Sequence, residues 1–483
     1  MSPLLALVLY GLVLIGFGVW YRQSARDGTG FFLAGRALSA AEVGLSLTAT
    51  GFGGSAILFA SGLAWARGLP ALWFTGSLGL GLAILGATLA GRVRAGGDHS
   101  LAGLAGRLYG DGVRWLASLL LVVVEVAFFA LTLKSISLLT GTLLGPEHWL
   151  LTHQAVYEGG VCLVIVLYVL LGGHKAVATT DILQLGLVAL VLIGILLPVA
   201  LLRADWAALP AAAWRFPFSA GDPAAGLTPT GPLFAVNMFI LMGLSGIVGG
   251  DVYSKILSAR DERAARRGAF IGAAGAALLA LCVALLALAG RSLLTPQVLA
   301  GRSPQLAIPL LSQALLHPVL FQLMVLGLLS ALLSTADSVL ITGATVLALD
   351  VLRTGERVGA ARLRIVTLAL ALAGLALALW FETLLNLIQF AYTLLTASLV
   401  PPILAGLALP ARRRPSRGGA AAAMVLGLAA AGAWRVAAPR LPEAWRLVEP
   451  ATVGVAVNVA VLLAGIMLQR WARQGPSRQT TAA

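Results

Sequence analysis

The feature that most constrains this chain is a succession of apolar stretches, each long enough for a helix to cross a hydrocarbon layer. A window of about twenty residues finds roughly thirteen of them along the sequence. With 59% hydrophobic residues, 11% charged residues and a mean hydropathy of +0.95, a soluble enzyme is excluded. In lipid every backbone amide must be satisfied within its own segment, so the stretches are read as helices and the fold class as all-α transmembrane.

A net charge of +14 would suit a nucleic-acid partner, but the placement of the charge points elsewhere. Most of the 33 lysines and arginines fall in alternate connections: Arg22, Arg26 and Arg36, then the runs 255–267, 353–364 and 412–417, and the C-terminal tail. By the positive-inside rule those connections are cytoplasmic. The N-terminus is then outside, the C-terminus in the cytoplasm, and the chain multi-pass in the cell inner membrane, with lipid rather than nucleic acid as its partner. The first stretch has no basic residue before it and Arg22 and Arg26 after it, which reads as a retained span and not a cleaved signal. The segment 203–231 reads as an external loop. Cys162 and Cys282 both lie in apolar stretches and indicate no disulfide framework.

Chemistry concentrates in the ninth stretch, where GLLSALLSTADSVLITGATVLALD carries Ser330, Ser334, Ser338 and Thr342 at every fourth position and Thr335 beside Ser334. These hydroxyls share one helix face and its edge. Either they bond back to the preceding turn and help helices pack, or they line a cavity. In the second case neutral oxygens without thiols or imidazoles suit a hard monovalent cation, here sodium. The second stretch is interrupted by Gly51, Gly53 and Gly54, and the seventh by Gly243, Ser245, Gly246, Gly249 and Gly250. Glycine at these places either lets helices approach closely or breaks a helix so that freed carbonyls face an ion. If each interrupted helix opens a five-helix unit, the odd number inverts the second unit relative to the first, the arrangement of alternating-access transporters.

Three further polar features stand out. Lys134 is the one basic residue well inside a span, with Glu125 nine residues away on roughly the opposite face. Its ammonium either faces a cavity, favouring a carboxylate-bearing solute, or snorkels to the outer interface. Asn386, Gln389, Tyr392 and Thr396 form a stripe in the eleventh stretch that serves helix contacts or lines a cavity. The five histidines, His99, His148, His153, His174 and His317, have no ligand spacing, and no phosphate-binding loop is found. No transition metal, catalytic residue or organic cofactor is therefore expected, and neither a membrane enzyme nor an ATP-driven pump.

The segments DGTGFFLAGRALS, LSLTATGFGG, GGHKAVATTDILQ, SKILSARDERAARRG and LLSALLSTADSVLITGATVLALDVLR, in this order from Asp27 to about Pro402, resemble the sodium/solute symporter family, which includes bacterial proline, pantothenate and sugar symporters. The resemblance implies a LeuT-like core of two inverted five-helix repeats, 39–202 and 232–409, within one transporter domain 1–483. One extra helix, 3–21, precedes the core and two, 419–469, follow it. It also implies a sodium site formed by carbonyls of Ala49 and Phe52 together with Ala331, Ser334 and Thr335, and it places Asp181 on the cytoplasmic ion path. From the residues alone Asp181 is equally a helix cap. Gly51 stands where some relatives carry an acidic residue. The seventh stretch has Gly249, Gly250, Asp251, Ser254 and Lys255 where many relatives show amides and a Gln-Arg pair, so no particular solute is carried over. Asp251 pairs with Lys255 one turn later or contacts the solute. Candidate solute contacts are Lys134, Gly51, Gly53, Ser245, Asn386 and Gln389. The expected function is sodium-coupled symport of a small organic solute bearing a carboxylate, such as an amino acid like proline or a pantothenate-like monocarboxylate, by alternating access. Sodium is the coupling ion. A transporter-fold membrane sensor, or a facilitator without ion coupling, is the other reading.

Overall fold

The computed structural model describes residues 3–21, 36–51, 53–144, 149, 153–294, 302–352, 360–381 and 383–474. Helix occupies each of the thirteen stretches. Among the described residues nine helices are long and apolar enough to cross a membrane, and a helix pair bent by 54° makes ten if it is counted as one span. Ala155–Leu171 and Arg364–Trp380 are shorter apolar lengths.

The chain begins with α1 (Pro3–Tyr21). The bent pair follows as α2 (Ala40–Gly51) and α3 (Gly54–Arg67). A reciprocal cap starts α2: the Ser39 amide donates to the Glu42 carboxylate at 2.7 Å and the Glu42 amide to the Ser39 hydroxyl at 3.3 Å. Then come α4 (Leu72–Thr88), the long α5 (Asp111–Leu144) and α6 (Gln154–Ala189). Helical backbone continues through all of α6, yet Gln184 donates to the Tyr10 hydroxyl while neighbouring Gly11 lies against Val164. Twenty residues of straight helix would separate Val164 from Gln184 by about 30 Å. The chain therefore turns back between them, and both arms pack on α1.

The seventh stretch is also broken. Its first half, α7 (232–247), contains a π-helical turn at Phe239–Gly243 and ends at Val248; its second half, α8, is Gly250–Ser258. Next are α9 (Glu262–Leu293), α10 (Pro318–Thr345), α11 (Ala360–Trp380), α12 (Leu384–Ser398), α13 (Val400–Ala408), α14 (Arg417–Ala437) and α15 (Pro450–Gln474). Caps mark several starts: Asp261 accepts from the Ala264 amide at 2.6 Å, and Ser416 from Gly419 at 3.1 Å.

One continuous apolar core runs from Leu38 to Ala451. Large apolar side chains such as Leu163, Leu278, Ile365 and Met467 face outward, as lipid requires. Glycines set how closely four helices approach. A Cβ on Gly44 or Gly272 would come within 3 Å of Ile271 or Leu47, closing α2 onto α9. Gly86 and Gly81 of α4 similarly abut Ala269 of α9 and the Gly243 carbonyl of α7. Small residues let backbones meet where lipid offers no hydrophobic drive for association.

Candidate cation and solute site

Both breaks face α10, and its hydroxyl stripe connects them. Ser330 is 2.6 Å from the Tyr10 hydroxyl of α1. Ser334 donates to Asp181 Oδ1. Ser338 accepts from Lys255 Nζ at 2.9 Å. Thr342 lies against Gly250 at the second break. Of the two readings of the stripe, back-bonding to the preceding turn holds for Ser330 and Thr335, while Ser334 and Ser338 reach other helices, as Ser330 also does through Tyr10.

Asp181 is the centre of this network. Its Oδ2 accepts from Ser46 of α2 at 2.5 Å and from Lys255 of α8 at 3.2 Å. All of Ser46, Asp181, Lys255, Ser334 and Ser338 are buried. A buried charge persists when it is paired and hydrogen-bonded, and here one carboxylate meets one ammonium and two hydroxyls. The local pair suggested by spacing, Asp251 with Lys255, is replaced: the Lys255 ammonium reaches across to Asp181, while Asp251 Oδ1 accepts from the Val252 amide at 2.8 Å.

Beside Asp181, Ala49, Ala331 and Ser334 line one cavity of about 10 Å³ with Gln184, Leu185, Val188 and Leu279. That is room for a single water-sized sphere. Thr335 does not line this cavity; its hydroxyl donates to the Ala331 carbonyl at 3.2 Å, and a Cβ on Gly53 at the first break would lie 1.9 Å from it. Phe52 falls outside the described residues, and Gly51 is described as the helical end of α2.

The other solute candidates are dispersed. Lys134 has its ammonium 3.9 Å from Glu158 of α6. Ser245 donates back to the Met242 carbonyl at 2.7 Å. Gln389 donates to Glu449 at 3.4 Å and borders a cavity of about 550 Å³ that also takes in Phe59, Arg67, Asn237 and Gln305. Asn386 accepts from Arg435 at 3.1 Å. This larger cavity is bordered by Thr228, Pro229 and Gly231 of the segment read as the external loop, and by Pro232 at the start of α7.

At the second break Glu125 of α5 is buried, and its Oε2 has no hydrogen-bond partner. A Cβ on Gly250 would meet Glu125 Oε1 at 2.3 Å. Spacing alone did not single out Ser46 or Glu158, and it weighed Glu125 only against Lys134. Ser46 could have been found, because it precedes Ala49 by three residues and therefore shares its helix face.

A family model described as the sodium:solute symporter family matches residues 31–427. The chain belongs to that family. Among curated relatives, the high-affinity proline transporter PutP of Bacillus subtilis (strain 168) is 25% identical over 445 residues, covering 88% of this chain and 89% of the relative. The sodium/proline symporter of Staphylococcus aureus (strain Newman) is 25% identical over 461 residues, covering 89% and 85%. A solved Na⁺-coupled sialic acid symporter in a substrate-bound, outward-open state superposes with a TM-score of 0.78 at 15% identity, covering 97% of this chain and 98% of the other. The nucleobase-cation-symport-1 transporter Mhp1 in a closed conformation gives 0.59 at 14% identity, covering 92% and 94%. These neighbours establish the fold of this family member as that of LeuT-like symporters.

Proposed function

We propose that this symporter couples inward sodium flow to uptake of a small carboxylate-bearing solute of the proline class. The observation that carries the reading is the convergence of Ala49, Ala331 and Ser334 on one ion-sized cavity, with Asp181 bonded to Ser334 and Thr335 bonded to the Ala331 carbonyl. A hydroxyl that donates to a carboxylate, as Ser334 does, keeps its lone pairs for a cation. The names of the two bacterial relatives support a proline-like solute. The larger cavity beside 228–232 serves as the approach on the outer side, with Gln389 and Arg67 at its wall. Solute and ion bind near the two breaks, and alternating exposure of that region to the two sides performs transport without chemical change of the solute. Asp181 lies on the route by which sodium leaves toward the cytoplasm.

The N-terminus is placed outside and the C-terminus in the cytoplasm of the inner membrane. Thiol labelling of introduced cysteines from outside sealed cells should reach 203–231 and spare 255–267; the opposite pattern overturns this orientation. Function is tested by uptake into proteoliposomes of proline, other amino acids, monocarboxylates, pantothenate and sugars, with and without an inward sodium gradient. Sodium-stimulated accumulation of proline or another carboxylated solute is expected. Equilibration without accumulation would favour a facilitator, and no uptake of any solute would favour a sensor.

A further inference from the structure

Two adjoining groups of oxygens lie along α10. Ala331 and Ser334 border the small cavity against Ala49, and Ser338, one turn on, faces Lys255. Asp181 sits between them, with Oδ1 toward Ser334 and Oδ2 toward Ser46 and Lys255. One carboxylate and three hydroxyls, with neither thiol nor imidazole, make the donor set of a hard monovalent cation.

We infer that Lys255 is a tethered cation filling the second of two adjoining cation positions, so that this chain carries a single sodium ion. The inference rests on the sodium-coupled reading above and specifies its stoichiometry. An ammonium is a compact, strongly hydrated point charge whose donors need oxygen acceptors, as a sodium ion does. Lys255 is only 1% exposed, and its nitrogen has Asp181 at 3.2 Å and Ser338 at 2.9 Å. Being covalently part of α8, it cannot follow a gradient across the membrane. A sodium ion at Ser338 would have to displace it, leaving an ammonium without its carboxylate in a poorly solvated interior. A sodium ion at the Ala49 and Ser334 cavity needs no such displacement. The lysine thereby sets the number of coupled ions and also ties α8 to α6 and α10.

The test counts sodium alone, by equilibrium binding of radioactive sodium to the purified full-length protein. The parent should bind about one ion per chain, and Lys255→Met, which leaves Asp181 and the hydroxyls open, about two. Adding Asp181→Asn to Lys255→Met should return the count to about one by removing the carboxylate. A merely structural lysine would alter thermal stability and leave the count unchanged. If Lys255→Met does not fold, Lys255→Gln, which keeps a donor for Ser338, is read in its place. A parent count of about two, or a folded Lys255 variant still at about one, overturns the inference while leaving sodium coupling intact. A parent that binds no sodium overturns the sodium-coupled reading itself, and this inference with it.

Discussion

The two broken helices use one backbone device and surround it with opposite chemistry. At the first break, between α2 and α3, the neighbours are the Ala331 carbonyl and the hydroxyls of Thr335 and Ser334. At the second, between α7 and α8, they are the carboxylates of Glu125 and Asp251, with Lys255 following one turn later. Beside the first break the proposed ion cavity is free for an exchangeable ion with Asp181 bonded to its Ser334 wall, whereas the Lys255 ammonium that follows the second break is held by that same Asp181 as a fixed pair. An interrupted helix thus provides geometry, and the residues packed against the interruption decide whether the site is exchangeable or permanent.

The largest effect should come from attacking the permanent pair. Asp181→Asn leaves the buried Lys255 ammonium without its counter-charge, at a cost of about 3–5 kcal/mol. Thermal unfolding in detergent should drop sharply and uptake should vanish. Adding Lys255→Met should recover most of the stability; no recovery would mean that Asp181 matters for something other than this pair.

Effects at the exchangeable site should fall on ion affinity rather than on folding. Ser334→Ala removes a hydroxyl shared between Asp181 and the cavity, worth about 1.5–3 kcal/mol, so the sodium concentration for half-maximal uptake should rise by about tenfold or more. Thr335→Ala should raise it less, with protein abundance near normal in both. Sodium activation curves decide the matter, and unchanged curves in both variants would remove the site.

Adding one methyl group to each break sharpens the contrast. In Gly53→Ala the new Cβ would meet the Thr335 hydroxyl at 1.9 Å and its Cβ at 3.1 Å, close to the α10 backbone, so the ladder itself must shift. In Gly250→Ala the obstacle at 2.3 Å is the flexible end of Glu125. Gly53→Ala should therefore weaken sodium activation strongly, and Gly250→Ala should be the milder variant in the same uptake assay.

The sequence made the helices, both interruptions and the hydroxyl stripe legible, because each is a local pattern with a known period. The pairings were harder to read. Spacing favours Lys255 with Asp251, four residues apart on one helix, but the ammonium lies against Asp181, which is remote in sequence and adjacent only once α6 and α8 have packed. Lys134 poses the same difficulty. Glu125 on its own helix lies on the opposite face, and the residue Lys134 meets is Glu158, beyond the following connection. Periodicity determines which face a residue occupies; which helix covers that face is decided by packing.

The smallest effect belongs to Lys134. With Glu158 at 3.9 Å, it already has a counter-charge, so Lys134→Gln should change the solute concentration for half-maximal uptake by less than about fivefold. A much larger rise at saturating sodium would move Lys134 into the solute site.

The glycine contacts bear on how the molecule moves. α2 and α4 come from the first half of the chain and α7 and α9 from the second, yet all four are joined by seams where a glycine faces the Gly243 carbonyl, the Ala269 methyl group, or the Cβ atoms of Leu47 and Ile271. Carbonyl and Cβ atoms cannot move away by a change of rotamer, so neighbours on either side of such a seam shift as a single stiff member. A stiff member built of α2, α4, α7 and α9 therefore draws on both halves of the chain. The limits of that stiff member do not follow the order of the sequence.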